Sequence, residues 1–165
     1  MRRRLLLLTL VAVAALTACA GSGGGAHAGS SFDATFTKLD GSQSSIAAYR
    51  GKPLVVNFYA STCGPCVQEM PALQRLHEQL GEKVAFLGLD VQETVATAQS
   101  FAAAMKVTWE LGRDPDGSIL SKKVHALGMP TTLLIAPDGT IVQQWLNGKA
   151  DIDQLTKLIH DKGYA

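Results

Sequence analysis

Two cysteines separated by two residues, Cys63 and Cys66, lie in the stretch YASTCGPCVQEMP (59–71), where an apolar run gives way to a helical pattern. Residues of this type at this spacing can serve as a redox dithiol, as half of a metal site, or as a small structural staple. Structural zinc asks for four protein ligands, and the chain has no second Cys-x-x-Cys and no His cluster. A staple closing a two-residue loop gains little chain entropy. The redox use draws on position. Cys63 ends a loop after a strand, and Gly64-Pro65-Cys66 opens a helix. Unpaired N–H groups and the helix dipole there favour a thiolate. Cys63 is then the attacking sulfur, and Cys66, one turn further in, resolves the mixed disulfide. Pro65 suits the first turn, where its missing N–H costs nothing. We read the pair as redox-active, with the metal site and the staple as alternatives.

The elements that must hold this pair follow from periodicity. PLVVNFYA (53–60) is apolar, β-branched and aromatic, the pattern of a strand buried on both faces. Val67, Met70, Leu73, Leu76 and Leu80 make one face of a helix over 64–80, with Gly81 as its stop and Pro71 predicted to kink it. KVAFLGLDV (83–91) reads as a second buried strand, 93–106 as a helix, VTWEL (107–111) as a short strand before the turn GRDPDG, and 118–125 as a short helix. A hairpin over 131–146 turns at Asp138-Gly139, and 150–162 is a closing helix. Phe32–Leu39 alternates and meets Asp40-Gly41, a further hairpin signal. Strands alternating with helices, then a hairpin and a helix, specify an α/β fold with a mixed central sheet.

The N-terminus has a different character. MRRR followed by the apolar run 5–16 has the build of a secretory signal and is short for a membrane span. Leu16-Thr17-Ala18-Cys19 resembles a bacterial lipobox, which implies a diacylated Cys19 at the mature N-terminus; an ordinary signal peptide with Cys19 incidental is the alternative. Lipidation accounts for the odd member among three cysteines, and two acyl chains suffice for stable anchoring. The expected organisation is a signal peptide over 1–18, lipidated Cys19 with a Gly/Ser-rich tether over 19–31 that includes His27, and a folded domain over 32–165. Removing Arg2, Arg3 and Arg4 takes Lys plus Arg from 15 to 12 against 14 acids, so the working domain is near neutral. No basic footprint for nucleic acid appears.

With the lipobox, NFYASTCGPCVQEMPAL, GRDPDG and GMPTTLLIAPDGTIV in this order, the chain resembles the TlpA/ResA-like (DsbE-like) thiol-disulfide oxidoreductases of the thioredoxin fold over most of its mature length. The resemblance implies a three-layer sandwich with an N-terminal β-hairpin extension and a βα insertion. It implies that Cys63 and Cys66 form the redox disulfide. Pro130 would be the family's cis-proline, with the Met129 backbone taking the partner chain as an added strand. Glu69, three residues after Cys66 on one helical face, would exchange protons with the pair; a solvated glutamate is the alternative. Asn57 stands where thioredoxins carry a buried aspartate, which places more of any proton transfer on Glu69; a polar residue bonding neighbouring backbone is its alternative. The chain departs from the family at Thr62, where relatives carry Trp beside the first cysteine, and Tyr59 likewise replaces a common Trp. Thr62 is therefore placed with Met129 and Pro130 at the partner-binding surface.

These features predict an enzyme that is a monomer, anchored by lipid on the extracytoplasmic face of the cell membrane and needing no cofactor or metal beyond its own disulfide. Its partners would be exported protein thiols or disulfides and a membrane or extracytoplasmic redox partner. It would act as a reductase, as in cytochrome c maturation, or as an oxidase of secreted proteins. A Cu(I) chaperone on the same fold and a thiol peroxidase are the alternatives. The Cys-Gly-Pro-Cys spacing is narrower than copper-delivery relatives use, and Thr62 directly adjoins Cys63 without the proline-led spacing of peroxiredoxins. Trp109 and Trp145 read as packing residues, and His77, His125 and His160 lack metal-like spacing.

Overall fold

The computed structural model describes residues 28–165. The signal peptide, Cys19 and most of the tether, His27 included, lie outside the described residues.

The strands are β1 (Thr35–Lys38), β2 (Gln43–Ser45), β3 (Leu54–Tyr59), β4 (Ala85–Val91), β5 (Glu110–Asp114), β6 (Thr131–Ile135) and β7 (Ile141–Trp145). They form one sheet in the order β2-β1-β5-β4-β3-β6-β7. β3, β4 and β5 are parallel at the centre, and the flanking pairs are antiparallel. All residues of β3 and β6 are buried, the polar Asn57, Thr131 and Thr132 along with the apolar majority. The three long helices, α1 (Gly64–Leu80), α2 (Val95–Met105) and α3 (Ile152–Asp161), share one face. There Met70, Leu73, Leu76, Phe101, Leu155 and Ile159 pack on Val55, Tyr59, Phe86 and Leu134. The opposite face is closed by Phe32, Phe36, Ile46 and a wide single helical turn over Ile119–Val124. Two layers thus sandwich the sheet, but only one of them is built from long helices.

Asp40 closes the β1–β2 hairpin by accepting from the N–H and hydroxyl of Ser42 (2.8 and 2.6 Å). The second hairpin turns where expected, and its strands pair with a register shift between Leu134 and Ile135. Two boundaries differ from the sequence reading. The chain joins the domain before Phe32, because Gly29 N–H donates to the Ile141 carbonyl (2.7 Å) and Ile141 N–H to that of Ser30 (2.9 Å). The strand expected over 107–111 is instead β5, displaced three residues toward GRDPDG. Gly112 permits this: a Cβ there would stand 2.4 Å from the Phe36 ring and 3.2 Å from Leu89, so a glycine lets the hairpin lie against the parallel strands. α1 spans the expected residues 64 to 80, with Pro71 inside it on its exposed side. Among the described residues, no helix is long and apolar enough to cross a membrane.

Candidate active site

β3 delivers its chain end to a short loop, Ala60–Thr62, and α1 starts immediately afterwards. Cys63 is the N-cap of α1, and its Sγ accepts the Cys66 N–H at 3.2 Å. The two cysteines are joined as a disulfide with Cα atoms 5.2 Å apart. The pair is asymmetric. Cys63 is partly exposed, whereas Cys66 retains 1% of its surface, packed in the helical-face core. A partner sulfur can therefore reach Cys63 and not Cys66. Thr62, Gly64 and Pro65 surround it at the surface. The indole that relatives place beside the first cysteine leaves no buried equivalent here, and Tyr59 is instead fully buried, stacked on Phe101 at 5.2 Å.

Glu69 is no solvated surface glutamate. It is 3% exposed, one turn beyond Cys66 on α1. One carboxylate oxygen accepts the Ala150 N–H (2.5 Å) just ahead of α3, and the other accepts the Asn57 amide of β3 (3.0 Å). Burial pushes its carboxyl above the usual range, against those two hydrogen bonds and the Lys149 charge. Asn57 also donates to the Thr132 hydroxyl (2.9 Å) and leaves its own carbonyl oxygen unpartnered. Asn57 therefore does not bond neighbouring backbone through its side chain; it bonds two side chains and links the centre of the sheet to Glu69.

The Met129–Pro130 peptide is cis. Pro130 is buried and its carbonyl accepts the Gly148 N–H (2.8 Å), which ties this loop to the segment before α3. Met129 packs against both cores, and its backbone N–H and carbonyl carry no hydrogen bond among the described residues. Leu127, two residues earlier, is 95% exposed. A surface cavity of about 260 Å³ runs alongside, lined by Val91, Gln92, Leu120, Leu127 and Met129 among others.

Sequence reasoning missed Glu93 and Asp90. Glu93 accepts from both the N–H (2.8 Å) and the hydroxyl (2.6 Å) of Ser61, two residues before Cys63. Asp90 is fully buried at the end of β4. An acid in a run otherwise as apolar as KVAFLGLDV was the available signal. Among the described residues, His77 packs edge-on to Phe86 and Trp109, and His125 and His160 are exposed. Trp109 is buried, and Trp145 donates to Gln154 (2.9 Å), both as packing residues. Among the described residues, no cluster of three or more His, Cys, Asp or Glu could hold a metal ion.

A sheet of this topology, carrying a helix-capping Cys-x-x-Cys disulfide beside a cis-proline loop, defines a thioredoxin-like thiol-disulfide oxidoreductase. The chain belongs to the AhpC/TSA family, which it matches over residues 28–144. It is 29% identical over 124 residues to the thiol-disulfide oxidoreductase ResA of Bacillus thuringiensis subsp. konkukian, covering 74% of this chain and 70% of that protein. Among solved structures it is similar to a secreted Mycobacterium tuberculosis disulfide oxidoreductase homologous to E. coli DsbE (25% identity, TM-score 0.67, 78% of this chain and 95% of that one). It is also similar to a DsbF homologue from Corynebacterium diphtheriae (25% identity, TM-score 0.70, 79% and 85%).

Proposed function

We propose that the protein exchanges disulfides with exported proteins while held by a lipidated Cys19 at the outer face of the cell membrane. The observation that carries the chemistry is the asymmetry of the pair, with Cys63 reachable at the head of α1 and Cys66 sealed behind it. In the reducing direction, the Cys63 thiolate attacks a partner disulfide and one partner sulfur leaves as a thiolate. Cys66, deprotonated, then attacks Cys63 Sγ. The partner departs as a dithiol, the Cys63–Cys66 disulfide forms, and two electrons have passed to the partner. The N-terminus of α1 favours the Cys63 thiolate. Glu69, buried on the same helix, takes and returns the proton of Cys66. The open backbone of Met129 receives the partner strand, with Pro130 and Thr62 at its borders.

The Gly-Pro dipeptide is shared with thioredoxin, a strong reductant at about −270 mV, and supports a reductase, such as one acting in cytochrome c maturation. A measured potential above about −200 mV would reverse that direction. The deciding experiment is a Cys66→Ala variant, in which the mixed disulfide has no resolving sulfur. Expressed in cells and resolved on non-reducing gels, it should accumulate adducts with exported proteins that collapse on reduction. Absence of adducts together with rapid peroxide consumption by Cys63 would replace this function with a peroxidase. A tight 1:1 Cu(I) complex of the reduced domain without adducts would replace it with a copper carrier.

A further inference from the structure

Behind the loop that carries Cys63 lies a second acidic group that disulfide exchange, as described above, does not use. Asp90 is fully buried at the C-terminal end of β4, level with Tyr59 of β3. Neither of its carboxylate oxygens has a hydrogen-bond donor, and the buried Tyr59 hydroxyl has no partner either. The Glu93 carboxyl and backbone N–H face it, the carboxyl close enough for a proton to bond the two acids. Two ionised carboxylates are both acceptors and cannot bond each other; one proton between them turns repulsion into a hydrogen bond. An unpaired charge at a site this deep would be costly, whereas a shared proton satisfies it.

Glu93 has a second engagement. Both its oxygens hold Ser61, one through the N–H and one through the hydroxyl, and Ser61–Thr62 is the segment that leads into Cys63. Its own backbone carbonyl is gripped by the Arg113 guanidinium of β5 (Nε at 3.1 Å and Nη2 at 2.5 Å). Arg113 thus fixes the Glu93 main chain, and the carboxyl is left to bridge Asp90 and Ser61. We infer that Asp90 and Glu93 hold one proton between them and act as a positioning pair for the Ser61–Thr62 segment beneath Cys63, an inference that rests on Cys63 being the reacting sulfur.

The groups facing Asp90 agree with this. Burial first, then the Glu93 carboxyl, raise its carboxyl to about 7, and the Arg113 charge and the Glu93 N–H offset only part of that. Burial also pushes Glu93 upward, but the Ser61 hydroxyl and N–H and the bond to Asp90 outweigh it, so Glu93 is net lowered and is the ionised member. Burial and the charges of Asp90 and Glu93 keep the Tyr59 phenol neutral. Below neutral pH the pair carries one charge, and the Asp90 proton orients Glu93 onto Ser61. Above it the second charge appears, the donor is lost, and Glu93 is repelled from its seat. Asp90→Asn keeps a donor toward Glu93 at every pH.

Two measurements on the oxidised domain test the inference. Carboxyl ¹³C NMR of aspartate-labelled protein should show Asp90, assigned by its absence in Asp90→Asn or by its shift in Glu93→Gln, titrating near pH 7. A titration below about pH 5, the ordinary aspartate range, overturns the shared proton. The rate of Cys63–Cys66 reduction by dithiothreitol is then compared, Asp90→Asn over wild type, so that the titration of the reagent cancels. The ratio should rise at least about 3-fold between pH 6 and pH 8.5, a coupling normal for groups in one network. If Asp90→Asn does not fold, Glu93→Gln serves, its ratio to wild type changing with pH as the wild-type pair gains its second charge. A flat ratio with measurable exchange overturns the positioning role alone. No exchange at any pH in either protein overturns the oxidoreductase function and the positioning role with it.

Discussion

Glu69→Gln separates catalysis from packing at the centre of the site. Glu69 accepts two buried donors, the Ala150 N–H and the Asn57 amide. A glutamine offers one carbonyl and one NH₂, so one donor would face another. The network can absorb part of this. The Asn57 carbonyl oxygen is unpartnered, so a flip of the Asn57 amide presents it to the new NH₂ and to a reversed Thr132 hydroxyl. The flip puts the Asn57 NH₂ where its unpartnered carbonyl oxygen stood, so one buried group is still left bare and the substitution costs about 1–3 kcal/mol. Glu69→Ala has no such escape: two buried N–H groups lose their acceptor at about 1–3 kcal/mol each, before any cavity forms.

Charge offsets part of that cost. Burial raises the Glu69 carboxyl in the folded state, so the native protein holds this proton more tightly than the unfolded chain does. Between the unfolded and folded titration ranges, stability therefore falls as pH rises. The glutamine variant lacks that slope. In urea unfolding, Glu69→Gln should gain on wild type between pH 4.5 and pH 7.5, and Glu69→Ala should be the least stable of the three. Single-turnover exchange with dithiothreitol between pH 5 and 9 should nevertheless slow by about 10- to 100-fold in Glu69→Gln, toward the lower end of what proton-transfer groups contribute, and should lose the pH step that Glu69 imposes. Exchange within about 2-fold of wild type at every pH would make Glu69 a structural carboxylate only. A loss of stability above about 3 kcal/mol at pH 7.5 would refute the proposed rearrangement of Asn57.

Two further outcomes follow from packing and exposure. Gly112→Ala would drive a Cβ to 2.4 Å from the Phe36 ring; overpacking should cost about 1–3 kcal/mol in chemical denaturation while dithiothreitol exchange of the remaining folded protein is preserved. Leu127→Ser, at a 95% exposed position beside Met129, should leave stability within about 0.5 kcal/mol. It should raise the KM for a protein disulfide by up to about 10-fold, with no effect on dithiothreitol, if partners rest on this surface.

The sheet and its helices were legible because their patterns are redundant: β3 is apolar but for Asn57, β6 runs through Leu133, Leu134 and Ile135, and α1 repeats its apolar positions along its whole length. β5 was displaced because its signal is a contact. Nothing local in VTWELGRD says that Gly112 must sit under Phe36, far earlier in the chain. The same distinction divides the site. The cysteine pair, Glu69 and the Met129-Pro130 loop carry local spacing or a recognisable motif. Asp90 and Glu93 carry neither. They matter because parallel pairing sets Asp90 level with Tyr59 and because the turn into α2 swings Glu93 back onto Ser61.

That division has a chemical consequence. The two buried acidic sites near the cysteines approach from opposite sides. Glu69 stands on α1 behind Cys66, tied to α3 and β3. The Asp90–Glu93 pair stands at the ends of β4 and α2, tied to the loop before Cys63. Glu69 is held by donors that favour its charge, while burial and the neighbouring Glu93 carboxyl outweigh the groups that favour charge at Asp90. In the proposed cycle the first acid moves protons and the second holds geometry. Their effects on exchange should therefore be separable: the double variant Glu69→Gln with Asp90→Asn should show the product of the two single-variant rate changes at pH 6, as sites without shared partners do. A coupling larger than about 3-fold would mean that both acids act on one sulfur.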